Sequence, residues 1–260
     1  MTDSPLRLIA VDVGNSALKL GLFSSNSHDS SPTPPTVVRV SAAEELEHVE
    51  LSLPPEPILW SVVSVNRSSE ADLCEWILRE RPGDEYRLLN YEVLPLKLAV
   101  RYPERVGVDR LVSTVAVNHR RSAGEPAIIV DAGTAITVDV VDGLGTFQGG
   151  AILPGLRTAA RSLAVSTDAL PSTDPLDHDQ KPVVIGKSTE EAIRSGVVWG
   201  TVGAVKELVA RMRDEVECQA QVFCTGGQGR FLARLLGPGV GFMPHLVLEG
   251  AAIAVRTLEQ

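Results

Sequence analysis

The feature that most constrains this 260-residue chain is a pattern that occurs twice: an apolar run that delivers an Asp, one more residue, Gly, a small polar residue, and a second apolar run. The first copy is Val11-Asp12-Val13-Gly14-Asn15 and the second Val130-Asp131-Ala132-Gly133-Thr134, nearly half the chain apart. A carboxylate inside an apolar strand is costly unless it is paired or holds a cation. Glycine next to it favours a tight reversal, so strands are predicted over 8–13 and 17–23 around the first turn, and over 127–131 and 135–141 around the second. The repeat predicts two domains of similar topology, 1–119 and 120–260.

Composition agrees with an α/β chain. Apolar residues make up 44% and aromatic residues 4%, with 22 Gly and 17 Pro, so packing rests on Val, Leu, Ile and Ala between many tight turns. With 24 basic and 33 acidic residues the net charge is −9, a poor match for nucleic acid or an anionic membrane and a better one for a small-molecule partner. Cys74, Cys218 and Cys224 are odd in number and form no C-x-x-C pair, which excludes a disulfide framework and a structural zinc site and predicts reduced core thiols. Residues 1–5 do not form a signal sequence, and no run approaches the roughly 20 apolar residues of a membrane span, so the cytoplasm is expected.

Between the hairpins a strand is predicted over 58–65, followed by a helix opened by a Ser69-x-x-Asp72 capping box, with Leu73, Trp76 and Ile77 inward and Gly83 at its end. A helix from Asp109 carries Leu111, Val112, Val115 and Ala116, and its basic end His119-Arg120-Arg121 reads as a solvated last turn. Residues 24–36, including an inert His28, and residues 169–182 read as loops. Ser188-x-x-Glu191 predicts a capping box for a long helix with Ala192, Ile193, Val197, Ala204, Leu208 and Met212 inward. Gly196, Gly200 and Gly203 would let that helix pack closely, on another copy or on its own sheet. Gly149-Gly150 and Pro154-Gly155 read as glycine turns around a short strand, 222–225 as a strand into Gly226-Gly227, and 246–258 as a terminal helix.

Common signatures are missing: G-x-x-x-x-G-K-[ST], G-x-G-x-x-G, G-x-S-x-G and H-E-x-x-H do not occur. The two hairpins remain. Turn amides can cradle phosphate oxygens while a neighbouring Asp holds Mg²⁺ or its waters, and Lys19 can add a cation for a transferring phosphate. Glycine turns alone also make plain hairpins, but two copies in buried strands favour the functional reading. Asp109 at a helix start is either a cap or a general base for a substrate hydroxyl, with Arg110 as an anion clamp.

Taken in order, Asp12-Val13-Gly14-Asn15-Ser16 with Lys19 and Gly21, Gly107-Val108-Asp109-Arg110, Asp131-Ala132-Gly133-Thr134-Ala135, Gly149-Gly150 with Pro154-Gly155, Ile185-Gly186-Lys187-Ser188-Thr189, Thr225-Gly226-Gly227 and Leu248-Glu249-Gly250 resemble the type III pantothenate kinases. These belong to the acetate kinase, sugar kinase, heat-shock chaperone and actin superfamily. The resemblance implies two ribonuclease-H-like, actin-like ATPase domains flanking a nucleotide cleft, and transfer of the γ-phosphate of ATP to pantothenate, the first step of coenzyme A synthesis. It implies ATP with Mg²⁺, a monovalent cation, K⁺ or NH₄⁺, and a homodimer.

Residue by residue, Asp12, Val13, Gly14, Asn15, Ser16, Ala17, Leu18 and Lys19 match the first ATP-phosphate loop, with Asp12 toward Mg²⁺, and Thr134 matches the second. Asp109 matches the proton acceptor, and Gly107, Val108, Asp109 and Arg110 the pantothenate turn, with Tyr102 and Thr189 as further substrate contacts. Asp131 matches the monovalent-cation ligand. Ser16 replaces the more usual Thr, and His245 stands where an acidic residue is expected. The alternatives are a kinase of another hydroxylated acceptor and a non-catalytic ATP-binding regulatory module of the same fold.

Overall fold

The computed structural model describes residues 7–23, 36–43, 45, 53, 55–176 and 182–258. Residues 1–5, the 24–36 stretch with His28 except for Thr36, and positions 177–181 of the 169–182 loop lie outside the described residues. Two units divide the chain, Met1–Arg121 together with His245–Gln260, and Ser122–Pro244.

The first unit holds a five-stranded sheet in the order β3-β2-β1-β4-β5, formed by β1 (Arg7–Val13), β2 (Leu18–Phe23), β3 (Thr36–Val40), β4 (Ile58–Ser64) and β5 (Glu85–Leu88). β1 and β2 pair antiparallel with Asp12 opposite Lys19, while β1, β4 and β5 run parallel. Ile9, Val11, Val13, Leu18, Leu20, Trp60 and Val62 on one face pack on Leu73, Trp76 and Ile77 of α1 (Arg67–Glu80). The helix starts before the predicted Ser69 box: Asn66 is the cap, its Oδ1 accepting the Ser69 N–H at 3.3 Å. Its C-terminal cap is Arg81, ahead of the predicted Gly83. Asp84 accepts from the buried Trp60 indole at 2.8 Å and from Arg81, which satisfies polar groups at the edge of this core.

Helices α2 (Val108–Arg120) and α6 (Leu246–Leu258) pack together in the same unit. α6 is buried at every position from Leu246 to Val255. It comes so close that a Cβ at Gly250 would stand 1.8 Å from the Val112 carbonyl oxygen. Ser61 Oγ of β4 donates to the Ala251 carbonyl at 2.9 Å. These contacts place the C-terminal helix with the first unit, whereas the sequence reading counted it with the second. The basic end of α2 is also corrected: Arg120 turns inward and donates to the buried Glu249 carboxylate through Nε at 2.9 Å and Nη2 at 2.7 Å, leaving His119 as the exposed member.

The second unit repeats the topology. Its sheet, in the order β10-β9-β6-β7-β8, comprises β6 (Ala127–Ala132), β7 (Ala135–Val141), β8 (Phe147–Pro154), β9 (Gln221–Thr225) and β10 (Val240–Phe242). Again an antiparallel trio is extended by two parallel strands. Gly149 and Gly150 lie within β8 beside a register shift at Val140/Val141, so the predicted glycine turn is a bulged edge strand. α4 (Thr189–Glu215) and α5 (Gly229–Leu236) cover one face, and α3 (Leu156–Ser166) packs on α4. Ser188 caps α4 as predicted by accepting the Glu191 N–H, but the Glu191 carboxylate takes the Lys187 N–H instead of closing the box on Ser188. Ile193, Val197, Val198, Val202, Val205 and Val209 are the buried apolar residues of α4. Gly196, Gly200 and Gly203 face open space, with no atom within 4 Å of an added Cβ, so they do not pack on their own sheet.

Of the cysteines only Cys224 is a core thiol; Cys74 is half-buried and Cys218 exposed. No described helix is long and apolar enough to cross a membrane. The closeness of α6 to α2 yields a prediction. Gly250→Ala should destabilise the protein by about 1–3 kcal/mol through overpacking, outweighing the gain of about 1 kcal/mol that Ala has over Gly inside a helix. Urea unfolding measures it, and a variant as stable as the parent would refute the close approach.

Candidate functional site

In the first unit, β1 ends with Asp12 buried and the reversal at Gly14 closed by its N–H to the Ala17 carbonyl at 3.1 Å. Asn15 and Ser16 stand exposed at the tip, while Ala17 and Leu18 return into the core. Directly across the hairpin, Lys19 Nζ donates to Asp12 Oδ2 at 2.9 Å. Lys19 thus both answers the buried carboxylate and, being more exposed than Asp12, keeps positive charge near the turn. His245, at the start of the α6 segment, belongs to the same neighbourhood. Burial pushes its imidazole pKa down, Glu249 pulls it back up, and the Lys19 ammonium depresses it further.

The Gly107–Arg110 segment opens α2. Gly107 is the cap and Asp109 lies in the first turn, so Asp109 does not serve as the capping residue. Its Oδ1 accepts the N–H of Arg110 at 2.9 Å, which folds the carboxylate back over the helix start. A Cβ at Gly107 would stand 2.5 Å from that oxygen, so glycine there makes room for the orientation. Asp109 and Arg110 are both half-buried. Tyr102 is exposed, with the Arg105 guanidinium 4.7 Å from its ring centre.

In the second unit Asp131 is half-buried near the end of β6, and Thr134 is exposed in the turn. The Thr134 carbonyl accepts from Gly155 N–H at 3.0 Å and from Thr158 Oγ1 at 2.7 Å, anchoring the turn to the start of α3. The Gly226 turn anchors it from the other side. Gly226 adopts φ +89°, a left-handed conformation open to glycine, and its Cα lies so near Asp131 that an added Cβ would stand 2.3 Å from Oδ1. Gln228 then donates its N–H to the Ala132 carbonyl at 2.9 Å and accepts Leu156 N–H on its side chain at 3.2 Å. The Cys224 thiol is pushed up to about 12, first by burial and then by the negative charge of Asp131, which leaves it unreactive. Thr189 is the exposed first residue of α4.

The structure therefore brings Asp12 to Lys19, Gly107 to Asp109 and Arg110, and Asp131 to Gly226. Tyr102 contacts Arg105. Sequence reasoning missed Thr158, Gln228, and the pairing of Arg120 with Glu249. Isolated polar residues carry no local signal for such partners, because each pair is distant in sequence.

The sequence matches the family model of type III pantothenate kinase over residues 8–211. The type III pantothenate kinase of Alkalilimnicola ehrlichii is 34% identical over 250 residues, covering 95% of this chain and 97% of its own. Among solved structures, a Baf family protein from Campylobacter jejuni superposes with a TM-score of 0.62 at 18% identity, over 96% of this chain and 98% of its own. The ROK hexokinase of Thermus thermophilus gives 0.51 at 14%, over 98% and 100%. The likeness to these structures is one of fold: an α/β chain with two mixed five-stranded sheets.

His245 carries a testable sign. Its folded pKa lies below its unfolded value, so below the usual His range, about pH 6.5, the unfolded chain binds the extra proton and stability falls as pH falls. His245→Gln should lose less stability than the parent between about pH 7.5 and pH 5.5. Melting temperatures measure this, and parallel pH profiles would sink the assignment.

Proposed function

The chain belongs to the type III pantothenate kinase family, and from that premise we propose the roles its residues play in phosphorylating pantothenate. The enzyme is a phosphotransferase that moves the γ-phosphate of ATP to the pantothenate hydroxyl, yielding 4'-phosphopantothenate and ADP at the entry to coenzyme A synthesis. The observation that carries the reading is the family match over residues 8–211, which spans both Asp-bearing hairpins and Asp109.

Asp109 accepts the proton of the substrate hydroxyl on its carboxylate, whose rotamer is held by the Arg110 N–H. Arg110, with Gly107 and Val108, holds the acid end of pantothenate, and Tyr102 and Thr189 line the same substrate. The 12–19 hairpin and Thr134 bind the ATP phosphates through turn groups, and Lys19 steadies negative charge on the transferred phosphoryl. The donor set fits the nucleotide: exposed Asn15 and Ser16 at a turn, beside a carboxylate at a strand end. Asp12 is the residue that would hold Mg²⁺, which when bound neutralises phosphate charge. Asp131, a carboxylate near a strand end with Thr137 and Thr225 as register partners, is assigned to a monovalent cation, K⁺ or NH₄⁺. The exposed Gly196, Gly200 and Gly203 face of α4 supports a homodimer. Three free cysteines suit the reducing cytoplasm.

The primary test is ADP release by purified protein with Mg²⁺, with and without pantothenate, in K⁺ and then in Na⁺. Release that needs both pantothenate and K⁺ is expected; ATP binding without pantothenate-dependent turnover would redirect the assignment to another acceptor or to a regulatory module. Asp109→Ala should lower turnover at least about 100-fold while ATP affinity stays unchanged. Turnover within a few-fold of the parent would remove Asp109 as the base. Gly200→Leu should convert the dimer to monomer by sedimentation, and an unchanged mass would move the interface elsewhere.

A further inference from the structure

The cation assigned to Asp131 needs more than one oxygen, and the second sheet offers others in one row. In β6 and β7 the residues Val130, Ala132, Ile136 and Val138 point to the apolar core shared with α4 and α5. Alternation along the strands therefore sends Asp131 and Thr137 to the opposite face. They are direct register partners, and on the other side Asp131 is the register partner of Thr225 in β9. The row Thr137, Asp131, Thr225 thus crosses three adjacent strands of one unit.

Within it, the Thr137 hydroxyl is anomalous. Its Oγ1 is buried and has no hydrogen-bond partner among the described residues, one of three side-chain atoms in that condition. A buried hydroxyl without a partner is destabilising, and valine would fill the same strand position without that cost. The hydroxyl therefore calls for a partner from outside the chain. A cross-strand neighbour lies within reach of the Asp131 side chain, and Gly226 pressed against Asp131 Oδ1 limits where that carboxylate can turn. One carboxylate beside two hydroxyls is a hard-oxygen donor set with a single negative charge. That single charge balances the charge of a monovalent ion, and hard oxygens suit an alkali cation.

We propose that Thr137 is a ligand of the monovalent cation, its hydroxyl oxygen sharing the ion with the Asp131 carboxylate. The inference rests on the assignment of Asp131 to that cation. An alkali ion takes the hydroxyl lone pair directly, and NH₄⁺ donates a hydrogen bond to the same oxygen, so one site serves both.

The test is thermal melting of the full chain, without nucleotide or pantothenate, as K⁺ replaces tetramethylammonium at constant ionic strength. The parent melts higher as K⁺ rises. Thr137→Val should melt at least as high as the parent without K⁺, because the orphaned hydroxyl is gone, yet need about tenfold or more K⁺ for the same rise. Thr137→Ser, which keeps the oxygen, should keep the response. Direct Tl⁺ binding followed by thallium NMR should rank the variants alike. A Thr137→Val protein with the parent's K⁺ response, beside an Asp131→Asn protein that has lost it, would overturn the Thr137 ligand and leave the Asp131 reading standing. A K⁺ response retained by both variants, or missing from the parent, would overturn both. A Thr137→Val protein that melts lower than the parent without K⁺ would overturn the argument from the unpaired hydroxyl.

Discussion

A carboxylate set near the end of a buried strand demands an answer, and each unit is organised around the one it supplies. In the first, the answer is covalently near: Lys19 stands opposite Asp12 across the hairpin and reaches it at 2.9 Å. In the second, Ile152 of β8 follows Thr137 in the row beyond Asp131, and no lysine stands opposite Asp131; the residues beside it are Thr137 and Thr225. The same local motif thus has two electrostatic settings. The first keeps positive charge beside its turn, and the second sets hydroxyls beside its carboxylate.

Around these carboxylates the backbone is held by short hydrogen bonds and close glycine contacts. The second turn is bonded to α3 through Gly155 and Thr158, and to the Gly226 turn through Gln228. Such support from several elements keeps a turn rigid enough to present its groups to a ligand. The helix that bears Asp109 is held along its length by α6, with Gly250 against Val112 and Glu249 paired to Arg120. A side chain at a helix start keeps its place only while the helix keeps its register, and the ion pair and the close backbone approach oppose any slip. His245, its pKa lowered first by burial and further by the like charge of the Lys19 ammonium, puts the start of α6 within electrostatic reach of the first hairpin.

Much of this was legible in the residues. Both hairpins fall where the Asp-x-Gly pattern put them, because a short reversal between apolar runs is a local matter of turn chemistry and alternation. The terminal helix at Leu246–Leu258 and the Ser188 cap follow from equally local signals. Errors came where two local signals competed or where a distant partner decided. Asn66 outcompeted Ser69 as cap because it stands one turn earlier on the same apolar period. Gly149 and Gly150 looked like a turn, since glycine weakens a strand, but pairing with β7 holds them in a bulged edge. Arg120 looked solvated because Glu249 is far away in sequence.

The sequence by itself determined the two Asp-bearing hairpins, the α/β class and the family, because these rest on residue order over short spans and on motifs in a set succession. Tertiary structure alone decided that the C-terminal helix joins the first unit, that Arg120 finds Glu249, that the α4 glycines face open space, and that the Thr137 hydroxyl, opposite Asp131, has no hydrogen-bond partner among the described residues. The physical reason is common to all four. Packing and hydrogen bonding join residues by their distance in space, and neither periodicity nor spacing along the chain records which distant side chain will be there.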